Sequence, residues 1–467
     1  MKFMNRTGEL ARLAALAERP GGGLAVVFGR RRIGKTRLLV EWCGRNGGVY
    51  AVADQSAADV QRRYLAEAMA VRLPGFGDVE YPDWRSLFAR LATEARAAGW
   101  RGPIVFDELP YAVASAPDLP SVLQRWVDHA ARDAGLVVAV AGSSQRIMQG
   151  LVLARDAPLH GRAHELFEVP PLDLSHVTEA VGRISDRDIL EFYTAWGGVP
   201  RYWELAAEWR ADTRGALDHL VLDPRGPLHR EPDRLLLEEI PSALEVRPVL
   251  DAIGAGAHRV SEIAGRLGRP ATSLSRPLDR LIELGLAARD VPFGESPRAS
   301  RRGLYRIADP FTRFWFRVVA PHRAELVSGA PKGRLKLLDR YWSALVGDAW
   351  EELCRQRLPL MAHPLLGEPG EWRPGGRWWQ GNAPEWDVIA EDVSGTRLLL
   401  GEAKSATGDV RDGRRLARDV ANRAAPELPA RYRRHTIERA LFVPDAQRAT
   451  HVDGVAIVTL RHLNRAG

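Results

Sequence analysis

Short runs of consecutive apolar residues alternate with longer amphipathic stretches in the first third of the chain. Three such runs lie at residues 24–28, 103–106 and 136–141, with helical stretches between them. Uninterrupted apolar runs of this length are typical of strands buried on both faces, as in a parallel sheet covered by helices. Ligands of such sheets bind beyond the carboxyl ends of the strands, so the polar residues after each run are the first candidates for chemistry.

The pattern is helical from about residue 171 to 239, which predicts an all-helical lid. Three short helical stretches and two strand-like runs follow, and they lie at 246–253, 260–267, 273–284, 286–292 and 303–307. This order predicts a winged helix-turn-helix with Pro277 in the first turn of its recognition helix. Such a unit either binds DNA, with Arg276 and Arg280 as candidate contacts, or packs between domains as a spacer.

The final third has the order α-β-β-β-α-β, followed by one more strand. Its segments are a helix at 341–355, strands near 378, at 386–390 and at 397–403, a helix at 412–422, and strands at 440–443 and 455–460. We therefore predict a multidomain α/β fold with domains at 1–170, 171–240, 241–310 and 311–467.

The first apolar run leads into Gly29-Arg30-Arg31-Arg32-Ile33-Gly34-Lys35-Thr36, which fits the phosphate-loop pattern G-x-x-x-x-G-K-T. The glycines let backbone N–H groups turn inward around phosphate oxygens. We expect Lys35 to reach the β- and γ-phosphates and the Thr36 hydroxyl to bind Mg²⁺. The three arginines are expected to form a solvated loop whose backbone contacts the nucleotide. The motif predicts a site for ATP and Mg²⁺.

The second and third apolar runs end in residues suited to hydrolysis. Asp107 can hold the magnesium shell, and the adjacent Glu108 can polarise the attacking water. Ser143 and Ser144 follow the third run and either sense the γ-phosphate or form an ordinary turn.

Stabilising the leaving phosphate also needs a cation. Arg162 and Arg201 are the candidates, and surface or ion-pairing roles are the alternative for both. Arg162 could also act in the site of a neighbouring copy if the protein forms a homo-oligomer.

Lysine usage indicates a second site. Only five of the 66 basic residues are lysines, and Lys35 and Lys404 stand where chemistry needs a compact ammonium group. Glu402 and Lys404 share one face of a predicted strand, because side chains alternate with a period of two. Pairing with the preceding strand can bring Asp387 beside them.

These residues predict a metal-dependent nuclease site. Asp387 and Glu402 would be oxygen ligands for Mg²⁺, while Lys404 would orient a water or neutralise the pentavalent state. The alternative is a strand-end ion pair of little energetic value. Glu351 either adds a carboxylate or is a solvated helix residue, and Trp378, Trp379 and Trp386 either stack on bases or, as we favour, belong to the core.

The overall composition limits the class of protein. A chain of 467 residues with 45% hydrophobic and 27% charged residues is ordinary for folded domains, which argues against large-scale disorder. The formal charge of +7 permits a polyanionic partner without requiring one. With two cysteines, no apolar signal region and no run long enough to span a membrane, we expect a cytoplasmic protein without disulfides.

The chain resembles the archaeal-type ATPases of the AAA+/STAND assemblage that carry a C-terminal domain like the PD-(D/E)XK nucleases. The matching segments are FMNRTGEL (3–10), GRRRIGKT (29–36), DELPY (107–111), GSS (142–144), GVPR (198–201), YRIADP (305–310), FWF (314–316) and GEAK (401–404). The resemblance implies an AAA+-like ATPase core, a helical lid, a winged helix and a restriction-endonuclease-like domain with Asp387, Glu402 and Lys404 at its metal site. Ala403 replaces a cysteine that is frequent in the family, on the opposite face of the strand.

Together these patterns predict an ATP-hydrolysing protein that processes DNA and has a Mg²⁺-dependent nuclease domain. The main alternative is an ATP-driven regulatory switch that binds DNA or protein and has a catalytically inert nuclease-like domain. A third interpretation, an ATPase that only contacts proteins, predicts no salt-dependent DNA binding.

Overall fold

A computed structural model describes residues 3–143, 148–153, 155, 157–210, 212–239, 243–405, 410–445 and 450–464. The chain divides into two compact units. The first comprises Met1–Leu172 and Val199–Arg201, and the second comprises Asp173–Gly198 and Tyr202–Gly467. In the part of the chain described, no helix is long and apolar enough to cross a membrane.

The first unit is a parallel sheet between helices. Its strands are β1 Gly23–Phe28, β2 Val49–Val52, β3 Ile104–Asp107, β4 Val137–Gly142 and β5 Ala163–Glu168. Its helices are α1 Thr7–Glu18, α2 Lys35–Asn46, α3 Ala58–Ala70, α4 Trp84–Ala97, α5 Leu109–Ser115, α6 Leu119–Asp128 and α7 Ala130–Asp133, and a π-helical turn spans Gln149–Leu153.

The strand order in this sheet is β2-β3-β4-β1-β5, and every pair is parallel. Successive residues of β1 point to opposite faces, so Val26 packs in one apolar cluster while Ala25 and Val27 pack in another. The predicted parallel sheet is therefore confirmed, with β2 and β5 as strands that the apolar runs did not predict. Since β4 lies between β1 and β3, residues after all three strands meet at one edge.

The second unit begins with helices. They are α8 Val177–Val181, α9 Asp186–Trp196, α10 Pro200–Ala206, α11 Thr213–Leu217, α12 Glu231–Glu239, α13 Ala243–Gly254, α14 Val260–Leu267 and α15 Ser275–Glu283, with α10 starting in the first unit. An antiparallel hairpin follows, formed by β6 Ala287–Asp290 and β7 Leu304–Ile307. Pro277 lies in the first turn of α15, where its missing N–H leaves no helical hydrogen bond unmade.

The last part of the second unit is a six-stranded mixed sheet. Its strands are β8 Gly376–Trp378, β9 Trp386–Glu391, β10 Arg397–Ala403, β11 Thr436–Phe442, β12 His451–Val452 and β13 Val455–Val458. The order is β12-β13-β11-β10-β9-β8, with β10, β11 and β13 mutually parallel. The accompanying helices are α16 Pro310–Phe314, α17 Arg323–Ser328, α18 Pro331–Gln356, α19 Val410–Asn422 and α20 Leu460–Leu463.

Candidate functional site

The phosphate loop joins β1 to α2. Gly29 has φ 142°, and a Cβ added there would lie 2.9 Å from the Val169 carbonyl oxygen. Gly34 has φ 93° and directly precedes the first helical residue, Lys35. Both positions favour glycine, because L side chains rarely adopt these backbone angles. The backbone N–H groups at the start of α2 are thus left free of side-chain obstruction.

Lys35 is buried within this loop. Its Nζ donates to the carbonyl oxygens of Gly29 at 2.8 Å and Arg30 at 3.1 Å. Only 4% of the residue is exposed. The ammonium group is therefore held at the centre of the loop, as the motif predicts.

Thr36 and Asp107 lie together, although 71 residues separate them in sequence. Thr36 Oγ1 donates to Asp107 Oδ2 at 2.7 Å, and the hydroxyl of Tyr50 on β2 donates to the same oxygen at 2.7 Å. Asp107 Oδ1 accepts from the Glu108 N–H at 2.8 Å. Burial, and then the Asp107 carboxylate, raise the pKa of Tyr50, so its hydroxyl stays protonated and donates.

Glu108 follows β3 and has φ 52°. Its Oε2 accepts from Ser143 Oγ at 2.9 Å and from Ser143 N–H at 3.3 Å. Ser143 thus contacts the residue expected to polarise water. Ser144 lies outside the described residues.

The arginines of the loop differ from expectation. Arg30, Arg31 and Arg32 are half-buried, and Arg31 donates to the Tyr111 hydroxyl at 2.7 Å. They are therefore anchored rather than fully solvated. A further arginine, Arg6, is 4% exposed and donates to the Ile33 carbonyl oxygen at 2.9 Å, which braces the loop from outside the motif.

The two candidate arginine cations lie in different places. Arg162 precedes β5, at the amino edge of the sheet, and its Nε pairs with both Asp128 oxygens at 2.8 and 2.9 Å. The phosphate loop lies at the opposite, carboxyl edge, so the fold does not bring Arg162 to its own nucleotide site. Arg201 is exposed and directly follows Pro200, whose Cγ would lie 3.6 Å from a Cβ at Gly34.

The second candidate site lies at the end of β10. Antiparallel pairing of β9 with β10 brings Asp387 Oδ2 to 2.9 Å from the Ala403 N–H. Glu402 Oε1 lies 2.7 Å from Lys404 Nζ. The fold therefore brings Asp387, Glu402 and Lys404 together from two strands.

Further charges surround these three residues. Glu402 Oε2 lies 2.5 Å from Nη1 of Arg423, which follows α19 and stacks over Trp386. Burial, and then the charges of Glu351 and Glu402, raise the pKa of Asp387 to about 7. Burial also raises the pKa of Glu351, so this carboxyl belongs to the same electrostatic site. Burial opposes ionisation of Glu402, but hydrogen bonds from Arg423 and Lys404 lower its pKa overall.

Trp378, Trp379 and Trp386 are all buried, at 4%, 6% and 1% exposure. Their burial agrees with the core interpretation and leaves no open ring face for a base.

Two pairs of oxygen-bearing side chains are candidates to hold a metal ion. Across the described ranges, no three His, Cys, Asp or Glu side chains form a ready-made cluster for a metal ion. Mg²⁺, however, commonly binds through one or two oxygen ligands and retains several waters. Thr36 with Asp107 meets that lower requirement, and so does Asp387 with Glu402.

Fold and site together define a Walker-type P-loop ATPase domain followed by a separate mixed-sheet domain. Residues 3–205 match a family described as an ATPase domain predominantly from Archaea. Residues 315–416 match a family described as archaeal and bacterial proteins of unknown function. The chain thus carries an archaeal-type ATPase domain.

Individual proteins are also similar to this chain. An uncharacterized protein of Methanocaldococcus jannaschii is 26% identical over 420 residues, which cover 90% of this chain and 91% of the relative. The Walker-type ATPase of Pyrococcus abyssi is 19% identical with a TM-score of 0.53, over 68% of this chain and 96% of that one. The ORC2 protein of Aeropyrum pernix is 15% identical with a TM-score of 0.40, over 73% and 95% of the two chains. The likeness to the Pyrococcus structure shows the fold.

Three contacting residues were not predicted from the sequence: Tyr50, Arg6 and Arg423. Tyr50 lies in a four-residue strand without a motif, and the two arginines are hidden in an arginine-rich chain. Only Arg6 had a signal, as part of the segment at 3–10 that carries the resemblance.

Proposed function

We propose that the protein hydrolyses ATP in its first unit and processes DNA with its second. The ATPase part of this proposal is supported by the matching domain and by the contacts of Lys35, Thr36, Asp107 and Glu108. The observation that carries the DNA-processing part is the convergence of Asp387, Glu402 and Lys404 at the end of β10.

In ATP hydrolysis, the loop backbone and Lys35 bind the phosphates. Thr36 and Asp107 would hold Mg²⁺, which neutralises charge on the phosphate oxygens. Glu108 accepts the proton of the attacking water, and its bond to Ser143 keeps the carboxylate at the edge of β4 until water is bound. Arg201, which directly follows the Pro200 that lies near Gly34, is the candidate cation for the leaving phosphate.

In the second unit, Asp387 and Glu402 would hold Mg²⁺, which acidifies water and stabilises phosphate charge. Lys404 orients the attacking water at the rim, where 43% of its side chain is exposed. Glu351 adds a carboxylate from α18. Asp387 and Glu402 lie along a groove of about 470 Å³, lined also by Asp419 and Arg423.

DNA would approach through the three helices and hairpin at 243–307, in the manner of a winged helix. Arg276 on α15 is exposed, whereas Arg280, one turn later, is half-buried, with its Nε and Nη2 atoms inside the protein. Beside the hairpin, a cleft of about 480 Å³ is lined by Arg306, Arg355 and Glu351, so it reaches one carboxylate of the second site, that of Glu351.

One observation favours the alternative of a regulatory switch with an inert nuclease-like domain. Both carboxylate oxygens of Glu402 are already paired, one with Lys404 and one with Arg423. A metal ion must compete with these cations for Glu402.

Cleavage of labelled linear, nicked and branched DNA, with Mg²⁺ or Mn²⁺ and with or without ATP, tests the proposal. We expect the native protein to cut and Lys404→Ala to lose about 10²-fold or more in rate, because the site loses its water-orienting cation. Lys336→Ala, which removes an exposed lysine of α18, is the matched control and should cut normally.

The alternative predicts a different pattern. If neither the native protein nor Lys336→Ala cuts any substrate while ATP hydrolysis and DNA binding persist, the second unit is inert and the protein is a switch. If the native protein shows no salt-dependent DNA binding, the remaining interpretation is an ATPase that contacts only proteins.

A further inference from the structure

Tyr50 contacts the nucleotide site from a strand that carries no motif. It lies on β2 in register with Val105 of β3, two residues before Asp107. In parallel pairing, register partners point to the same face, and side chains two residues apart share that face. The phenol therefore extends along the sheet toward Asp107, and its hydroxyl reaches Asp107 Oδ2 at 2.7 Å.

The Asp107 carboxylate is held by three donors. Oδ2 accepts from Thr36 and Tyr50, and Oδ1 accepts from the Glu108 N–H. Asp107 is only 1% exposed, so water cannot readily replace a missing donor. Removing the Tyr50 hydroxyl leaves Oδ2 with Thr36 alone, the same residue that is expected to bind Mg²⁺.

We propose that Tyr50 is a positioning residue for Mg²⁺-dependent nucleotide binding. Its hydroxyl fixes the carboxylate orientation of Asp107, so that Asp107 stays in place when Thr36 turns its oxygen toward the ion. Partners behind a metal ligand typically contribute 10–100-fold to metal affinity. This inference adds a residue outside the phosphate-loop and strand-end motifs and depends only on the ATPase site.

The test compares Tyr50→Phe with Tyr81→Phe. Tyr81 belongs to the same unit and also donates a buried hydrogen bond, to the Phe76 carbonyl oxygen at 2.9 Å, but it does not contact Asp107. Binding of a fluorescent ATP analogue is titrated with Mg²⁺ and, separately, measured in EDTA. We expect Tyr50→Phe to weaken the apparent Mg²⁺ affinity about tenfold, while analogue affinity in EDTA stays within about twofold of native.

Hydrolysis supplies a second readout. For Tyr50→Phe, the Mg²⁺ concentration at half-maximal rate should rise about tenfold, and the rate at saturating Mg²⁺ should largely recover. In an Asp107→Ala background, Tyr50→Phe should have no additional effect on Mg²⁺ dependence, because the group that it positions is gone.

Three results would overturn the inference. They are an unchanged Mg²⁺ dependence in Tyr50→Phe, an equal shift in Tyr81→Phe, and native binding that does not depend on Mg²⁺. The binding titration requires neither turnover nor DNA. A protein that binds ATP but does not hydrolyse it would contradict the proposed function and still decide the role of Tyr50.

Discussion

At the scale of single residues, Asp387 carries a conflict between burial and charge. It is held in place by the Ala403 N–H, yet burial, and then the charges of Glu351 and Glu402, oppose its ionisation, and its pKa rises to about 7. When folding raises the pKa of a carboxyl, the folded protein becomes less stable as pH increases, because the carboxyl must then ionise in an unfavourable place. The loss begins near the ordinary pKa of about 4 and is complete above pH 7.

We therefore expect Asp387→Asn to stabilise the protein at pH 8 and to have little effect at pH 4.5. The difference in unfolding free energy should grow to about 2–4 kcal/mol across this range, since one pKa unit corresponds to about 1.4 kcal/mol. Denaturant unfolding in EDTA measures it. Asp419→Asn, an exposed residue of the same groove, is the control that should show no such slope.

The same unfolding experiment, repeated with Mg²⁺ in place of EDTA, tests whether this site binds the ion. If Asp387 and Glu402 bind Mg²⁺, the ion should stabilise the native protein at pH 8 and have less effect on Asp387→Asn. Equal stability of native protein and variant at both pH values would contradict the electrostatic account of this residue.

The same residues show what a sequence can reveal about a site. Asp387, Glu402 and Lys404 were predictable because strand alternation and pairing are regular. Arg423 was not, because it reaches Glu402 from beyond the end of a helix, 21 residues away, and no periodicity records that contact. The contact of Arg423 with Glu402 is therefore visible only once the chain is folded.

At the scale of elements, the β6–β7 hairpin is anchored rather than free. In the loop between its strands, Phe293 N–H donates to the Arg377 carbonyl oxygen at 2.8 Å, and the Phe293 ring lies 5.3 Å from that of Tyr432. Arg302 donates to the Trp379 carbonyl oxygen at 3.1 Å. Since the loop is bound to the mixed-sheet domain, α15 is the more accessible surface for the DNA contact that we propose.

We expect Arg276→Ala to lower DNA affinity and to reduce the dependence of affinity on salt by about one unit of slope, as loss of one phosphate contact requires. Fluorescence anisotropy at several salt concentrations measures both quantities. Arg340→Ala removes a comparably exposed arginine from α18 and should leave the slope unchanged.

If the salt dependence of DNA affinity is normal in Arg276→Ala but reduced in Arg298→Ala, the phosphate contact belongs to the hairpin loop instead. If neither variant changes binding, the three helices and hairpin are a spacer, as the alternative interpretation of the sequence has it.

Elements differ in how far the sequence predicts them. The strands β1, β3, β4, β9 and β10 were predictable, because burial on two faces or strict alternation makes their patterns strong. The edge strand β5 has the sequence AHELFE, with only Phe167 buried, and its register with β1 shifts near Leu24. Tertiary pairing rather than local pattern determines such a strand.

At the scale of the whole molecule, the chain passes between its two units three times, after Leu172, after Gly198 and after Arg201. Val199–Arg201 thus belongs to the ATPase unit although both neighbouring segments belong to the other. Pro200 within it lies against Gly34 of the phosphate loop. Pro200 therefore links the phosphate loop to the covalent chain on both sides of this segment.

If ATP hydrolysis in the first unit controls the proposed DNA cleavage in the second, Glu108→Gln will alter that cleavage. The amide retains the side-chain size but cannot accept a proton from water, so we expect ATP to bind while hydrolysis falls about 10²-fold or more. Stimulation of DNA cleavage by ATP should then be lost, because the unit cannot cycle. Glu41→Gln, on the half-buried face of α2, is the matched control and should retain both activities.

Comparison with Lys35→Ala separates binding from turnover. Lys35→Ala removes the buried ammonium group and should abolish both ATP binding and ATP-stimulated cleavage. If Glu108→Gln is stimulated as strongly as the native protein while Lys35→Ala is not, ATP binding alone switches the second unit and hydrolysis only resets it. If cleavage is the same in all three proteins with and without ATP, the two units act independently, and the short segment at Val199–Arg201 has no regulatory role.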